Sequence, residues 1–288
     1  MLPFDQSMVF KGSYFFTQPD APSALPSPEE ARMAAAAAAP NSKGSHRPRP
    51  LRLPALNLLV KFGRTITIAE GQCLWAIRHL LPQVPVPEVY GWCRDGQDIF
   101  IYMQLMPGCT LEERWQTLLP EDKRELCEQL RGIVGSLRRL EQDPSDRFIG
   151  HVGRQPLLDI VFDAYSNSGP FLTVPAFHDY FSYLPLEFKA SMPHPFRSKL
   201  IDDVPIVFTH SDLHLSNMIV SAEGDGTPRV VAIIDWHQSG WYPSYWEYCK
   251  ARLTAEVGSE WETGYLWRIL QPTEQWEDWN YFCLKLGV

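Results

Sequence analysis

From Leu51 onward, apolar and polar positions follow two different periods. "ALNLLVKF" (55–62) is a short apolar run closed by charge and reads as a strand. "TITIAEGQCLWAIRHLL" (65–81) begins as a strand edge and passes into a helix, with Ala69, Cys73, Ala76 and Leu80 at helical spacing. "VPVPEVYGWC" (84–93) is punctuated by proline and is therefore extended. "DIFIYMQLM" (98–106) is a strong strand, closed by Pro107-Gly108. Helical period dominates after that: "LEERWQTLL", then a long segment from Pro120 with Leu126, Leu130, Ile133 and Leu137 on one face. Residues 151–205 are rich in proline and read as loops and short helices. "NMIVS", the turn "SAEGDGTPR" and "VVAIID" read together as a β-hairpin. The tail is helical and holds seven of the ten tryptophans, a pattern of core packing.

The first 50 residues have another texture. "MVFKGSYFF" (8–16) reads as a strand. Residues 17–50 are rich in Pro, Ala and Ser, have no aromatic residue, and are expected to be disordered, with "PEEARMAAAAAA" only a transient helix. The expected organisation is a mostly disordered 1–50, a strand-rich lobe over 51–105, and a larger helical lobe over 106–288 containing one hairpin.

Composition narrows the partners. The 288 residues are 45% hydrophobic and 21% charged, with a formal net charge of −8. An acidic surface repels phosphate backbones, so no nucleic-acid partner is expected. No stretch approaches the length of a membrane span, and the N-terminus lacks the basic start and apolar core of a signal peptide. None of the six cysteines forms a CxxC pair. They read as reduced thiols of a cytoplasmic protein. Oligomeric state is not legible.

The chemistry gathers in "IVFTHSDLHLSNMIV" (206–220), where His210, Asp212, His214 and Asn217 interrupt an apolar run. Buried polar groups need partners or a ligand. Asn217 lies 18 residues before Asp235, across the expected hairpin, so an amide oxygen and a carboxylate converge, with Asp212 on the preceding loop. Hard oxygen ligands suit Mg²⁺, which takes one or two from protein and fills its octahedron with water and phosphate oxygens. Two metal holders beside a separate carboxylate suit phosphoryl transfer.

"HSDLHLSN" fits the kinase catalytic-loop pattern H-x-D-x-x-x-x-N, and "IDW" stands where kinases carry D-F-G. With "VVAIIDW", "FIGHVGRQPLLD", "GPFLTVPAFHDY" and "IDWHQSGWYPSYWEYCKA", the chain resembles the aminoglycoside phosphotransferase family over roughly 55–282, in particular fungal members of unassigned substrate. The resemblance implies an α+β, two-lobed protein-kinase-like fold, with a small β-rich N-lobe for nucleotide and a larger, mainly helical C-lobe carrying the catalytic hairpin. It implies ATP and Mg²⁺ in the cleft and transfer of the γ-phosphoryl group to a hydroxyl of a small molecule. By the same resemblance Asp212 is the catalytic base, Asn217 and Asp235 hold Mg²⁺, and His210 buttresses the loop. Lys61 meets the α- and β-phosphates, Glu70 is its ion-pair partner, and backbone groups of Gln104 and Met106 pair with adenine. Lys61 sits among Leu58, Leu59, Val60 and Phe62, where an amine needs an anion nearby.

The chain departs from the family in several places. Ser211 stands where glycine is usual, and Ser216 where proline or glycine is frequent. No G-x-G-x-x-G precedes Lys61. Trp236 and His237 replace the Phe and Gly of D-F-G, and no A-P-E follows, which argues for a small-molecule acceptor. Two other classes stay open. Without its glycine loop the chain is a non-catalytic, pseudokinase-like nucleotide-binding module. Alternatively His210, Asp212 and His214 share one face of a strand and chelate zinc in a metal hydrolase.

Overall fold

The computed structural model describes residues 2–38, 49–165, 167–186 and 193–288. The chain forms two compact units, Met1–Gly108 with Val231–Ile234, and Cys109–Val230 with Asp235–Val288.

The first unit is built on a five-stranded antiparallel sheet of order β1-β4-β5-β3-β2. Its strands are β1 (Met8–Val9), β2 (Leu51–Leu53), β3 (Leu58–Gly63), β4 (Val89–Asp95) and β5 (Asp98–Gln104). In β3, Leu58 and Val60 point into one core with Tyr90, Phe100 and Tyr102. Strand alternation therefore turns Lys61 to the opposite face. The expected strand over 8–16 is only two residues of β1, followed by a helical turn, α1 (Tyr14–Thr17), that buries Phe15.

Residues 17–38, read from composition as unable to anchor, carry α2 (Pro28–Ala38). A capping box starts it: Glu30 N–H donates to Ser27 Oγ, and Ser27 N–H to Glu30 Oε2. Ala31 is 1% exposed, with Ala34 and Ala35 packed beside it against the sheet core. Arg32 bonds Asp95 (2.5 Å) and Asp98 (3.0 Å) and lies over the Phe100 ring. Small side chains let this helix lie close to the sheet, so alanine does here what larger apolar residues do elsewhere. The remaining part of the expected disordered segment, 39–48, lies outside the described residues.

Helix α3 (Ile68–Leu80) forms where the pattern predicts a helix, but its buried face is rotated. Ala69, Cys73, Leu74 and Ile77 are buried, and Leu80 is 64% exposed. Gly71 meets the Trp92 ring, where a Cβ would come within 2.9 Å. That close approach seats α3 on β4 and presents Glu70 to the sheet.

The second unit opens with β6 (Cys109–Thr110), which pairs with β8 (Met218–Val220). Next come α4 (Leu111–Arg114) and α5 (Pro120–Leu137). Proline at the first position and Glu121 and Asp122 in the first turn favour the start of α5. Its predicted face is the buried one: Leu126, Leu130 and Leu137 are at most 1% exposed, and Ile133 is 9%. After α6 (Val174–Tyr183), β7 (Ile206–Thr209) pairs antiparallel with β10 (Gly240–Pro243). Between them in the chain run β8 and β9 (Val230–Ile233), the latter counted with the first unit from Val231 on; in the predicted turn that joins them Ser221 N–H donates to the Arg229 carbonyl. Helices α7 (Trp246–Leu253), α8 (Leu266–Ile269) and α9 (Trp276–Leu286) finish the unit.

Trp246 centres the main core. It stacks on Phe162 and Tyr242 and meets Phe177, Phe181 and Trp279 edge-on. Tyr242 is fully buried and donates to the Gln238 carbonyl. No helix among the described residues is long and apolar enough to cross a membrane.

Candidate active site

Each unit carries one cluster of the residues singled out in the sequence. In the first, Lys61 Nζ lies 2.6 Å from Glu70 Oε1, with Glu70 1% exposed and Lys61 14%. The two are nine residues apart, on β3 and on the first turn of α3. A half-buried amine is thus held extended by a buried carboxylate, its charge compensated without being removed.

At the end of β5, Gln104 N–H donates to the Glu88 carbonyl (2.8 Å). Glu88 N–H goes to the Gln104 side chain (3.4 Å), not to its main-chain oxygen. Leu105 N–H donates to Asn57 O, and Met106 follows in extended chain. The sheet ladder therefore ends at the segment expected to meet a base.

In the second unit, Asn217 Nδ2 donates twice to Asp212, to the main-chain oxygen and to Oδ2, each at 2.9 Å. Both amide hydrogens are spent on one residue. The Asn217 oxygen is left as an acceptor, and the Asp212 carboxylate is fixed through one oxygen. Asp235 follows β9 with φ 64° and ψ 61°, a left-handed conformation that Asp tolerates better than most residues. An amide oxygen and carboxylates form a donor set suited to Mg²⁺, the chemistry expected of Asn217 and Asp235 from the sequence.

The loop bearing Asp212 is tied down from below. Ser211 has φ +66° and is fully buried. A left-handed serine costs on the order of 1–2 kcal/mol. Three contacts offset it: Ser211 N–H donates to Glu247 Oε1 (3.0 Å), its hydroxyl donates to Asp159 Oδ2 (2.5 Å), and Trp246 Nε1 donates to that hydroxyl (3.0 Å). Asp159 also accepts from Val161 N–H, Trp246 Nε1 and Lys250 Nζ, the last at 2.8 Å with both partners 0% exposed. Lys250 completes its shell on Gln238 Oε1 (3.0 Å). Glu247 also accepts the His210 N–H (2.6 Å). Asp159, Glu247 and Lys250 lie within stretches that carry the family resemblance, but nothing local in the sequence assigns them a task. The bonds that join them to Ser211 and to each other span 36 to 91 residues.

Burial pushes the Glu247 carboxyl up to about 7, against the pull of Arg138 and of the His210 and Ser211 amides. The native state therefore binds this proton more tightly than the unfolded chain. The stabilisation is complete below the ordinary 4.5 and is lost as pH rises through about 7. Glu247→Gln is expected to remove on the order of 3 kcal/mol of the fall in unfolding free energy between those limits. Urea titrations of both proteins from pH 4.5 to 8 measure it; equal slopes would refute the account.

The zinc arrangement needs a strand through 210–214, and the structure has none. Strand β7 ends at Thr209, and Ser211 turns left-handed. His210 Nδ1 accepts the Asp212 N–H, and His214 Nδ1 bonds Ser216 through both its hydroxyl and its N–H. The two rings serve the loop itself. Among the described residues no group of three His, Cys, Asp or Glu is placed to hold a metal.

Residues 67–276 match the model of a family described as "Phosphotransferase enzyme family". Among solved structures, the chain is similar to an aminoglycoside-3'-phosphotransferase of type VIII, at 15% identity and TM-score 0.50, covering 80% of this chain and 84% of that one. It is also similar to a thermostable mutant of aminoglycoside phosphotransferase APH(4)-Ia, at 14% identity and TM-score 0.51, covering 80% and 77%. No curated protein sequence matches. Likeness at these identities shows the fold, which is the two-lobed, α+β, protein-kinase-like one.

Proposed function

Because this chain belongs to the phosphotransferase enzyme family, we propose that it transfers the γ-phosphoryl group of ATP, with Mg²⁺, to a hydroxyl of a small molecule. The observation that carries this reading is the double hydrogen bond from Asn217 to Asp212. It sets one carboxylate beside an amide oxygen that would face the metal, a pairing that suits in-line transfer to a hydroxyl.

Asp212 is the base. With Oδ2 occupied by Asn217, its other oxygen accepts the acceptor hydroxyl and directs that oxygen at phosphorus. The new O–P bond forms as the bond to the bridging β,γ-oxygen breaks, and the hydroxyl proton passes to Asp212. Asn217 and Asp235 hold the metal, whose chemistry is to neutralise charge on the phosphate oxygens. Lys61, kept extended by Glu70, binds the α- and β-phosphates. Main-chain groups of Gln104 and Met106 bind adenine. The similar structures are aminoglycoside phosphotransferases by name. A net charge of −8 favours a cationic partner, so hydroxylated amines are the first acceptors to try. All six cysteines are free thiols, which suits the cytoplasm.

One observation favours a second reading. Between Met1 and Lys61 the glycines are Gly12 and Gly44, and no G-x-G-x-x-G stands there to cover the phosphates. A chain that binds nucleotide without transferring phosphate fits that gap. Single-turnover ATP consumption over a panel of amino and hydroxyl acceptors, with Asp212→Asn as control, separates the two. Acceptor-dependent turnover, lowered at least about a hundredfold by Asp212→Asn, is the expected result. Nucleotide binding without turnover across the panel would favour the binding module instead.

A further inference from the structure

The second unit contains a cavity of about 710 Å³ that none of the residues discussed above as catalytic or nucleotide-binding lines. It lies among the C-terminal half of α5, the start of α7 and the segment 267–273. Its wall includes Arg131, Arg138 and Arg268 and the aromatic rings of Tyr248 and Trp267, with no aspartate or glutamate. In a chain with eight more acidic than basic residues, three arginines around one hollow with no lining carboxylate mark a locally reversed charge.

Neither Arg138 nor Arg268 makes a salt bridge among the described residues, and Arg138 interacts with the buried Glu247 carboxylate only at longer range. The half-buried Arg138 makes one side-chain hydrogen bond among the described residues, from Nη1 to the Ser244 carbonyl (2.9 Å). A guanidinium has five N–H donors, of which this bond uses one, and Arg138 lines the cavity. Burial lowers its proton affinity, against the pull of Glu247. Arg268 donates from Nε to the Gly264 carbonyl, and its guanidinium carbon lies over the Trp267 ring, 4.4 Å from its centre. Arg131 has only the exposed Glu128 beside it.

The aromatic wall adds a shape. Most large aromatic residues of this tail are buried, but Trp267 is 49% exposed. An indole already stacked by a guanidinium offers a planar surface beside fixed donors. Guanidinium groups recognise oxyanions through paired N–H bonds, and the volume falls in the range of small-molecule sites. We propose that this cavity binds a small organic anion carrying a flat ring, with the anionic group held by Arg138 and Arg268 and the ring against Trp267. The site is separate from the phosphoryl-transfer residues and stands whether or not the chain is a kinase.

The test uses the full chain and 1-naphthyl phosphate as probe, followed by isothermal titration calorimetry, with 1-naphthol as its uncharged counterpart. Binding at one site is expected, at least about tenfold tighter than 1-naphthol, since a charge-assisted bond contributes about 1.5–3 kcal/mol. Arg138→Gln and Arg268→Gln should each weaken it about tenfold. Arg268 is the safer variant to fold, and Trp267→Ala supplies a third. The proposal is overturned if the probe fails to bind at millimolar concentration, if 1-naphthol binds as tightly, or if the folded variants bind it like the parent.

Discussion

Asp235→Ala is expected to lower Mg·ATP-dependent turnover at least about a thousandfold, equivalent to roughly 4 kcal/mol of transition-state stabilisation. A carboxylate holding the metal acts on every charged oxygen of the transferring group, and metal charge stabilisation is typically worth several kcal/mol. The backbone supplies the complication. Asp235 is left-handed, at φ 64°, and alanine is less at ease there than aspartate. Some loss of stability, on the order of 1 kcal/mol, should therefore accompany the loss of activity. Asp235→Asn separates the effects, because asparagine accepts the same conformation and keeps the shape while removing the charge. If both variants fold and both keep a tenth of parental turnover, the metal assignment fails.

The second large effect concerns stability. Lys250→Met should destabilise the protein by about 3–5 kcal/mol, because it strips the cation from a pair whose members are both 0% exposed. Asp159 would keep three donors, from Val161, Ser211 and Trp246. Those hydrogen bonds hold a carboxylate in place without neutralising it. The double variant Asp159→Asn, Lys250→Met should recover part of the loss, since an amide has no charge to leave unpaired. Urea unfolding of the three proteins measures this. A single variant within about 1 kcal/mol of the parent would show the pair to be dispensable.

Much of this was readable in the sequence wherever the signal was local. The eight residues from His210 to Asn217 carry the loop, and their spacing fixes which side chains can meet. Lys61 and Glu70 are nine residues apart, close enough for strand and helix geometry to join them. The α5 face was legible because an 18-residue helix repeats its pattern several times. What failed depended on neighbours. Periodicity says that α3 has an apolar face, but the sheet decides which one, and Leu80 falls outside it. Composition averaged away the anchors of α2, although Ser27 and Glu30 held a capping signal in plain view. Asp159 and Lys250 are 91 residues apart, and neither has a local cue to a buried partner. Ser211 looked like a mild departure from glycine, but its hydroxyl turns out to connect the loop to that pair.

The indole of Trp246 bonds both Ser211 and Asp159 while its rings form the middle of the aromatic core. Functional loops usually open more readily than the scaffold beneath them. Here the loop and scaffold share a tryptophan, so the segment bearing Asp212 has no private melting transition. A lesion deep among Phe162, Phe177 and Phe181 would reach the loop as surely as one made in the loop itself, and damage scored as loss of activity could originate well away from it.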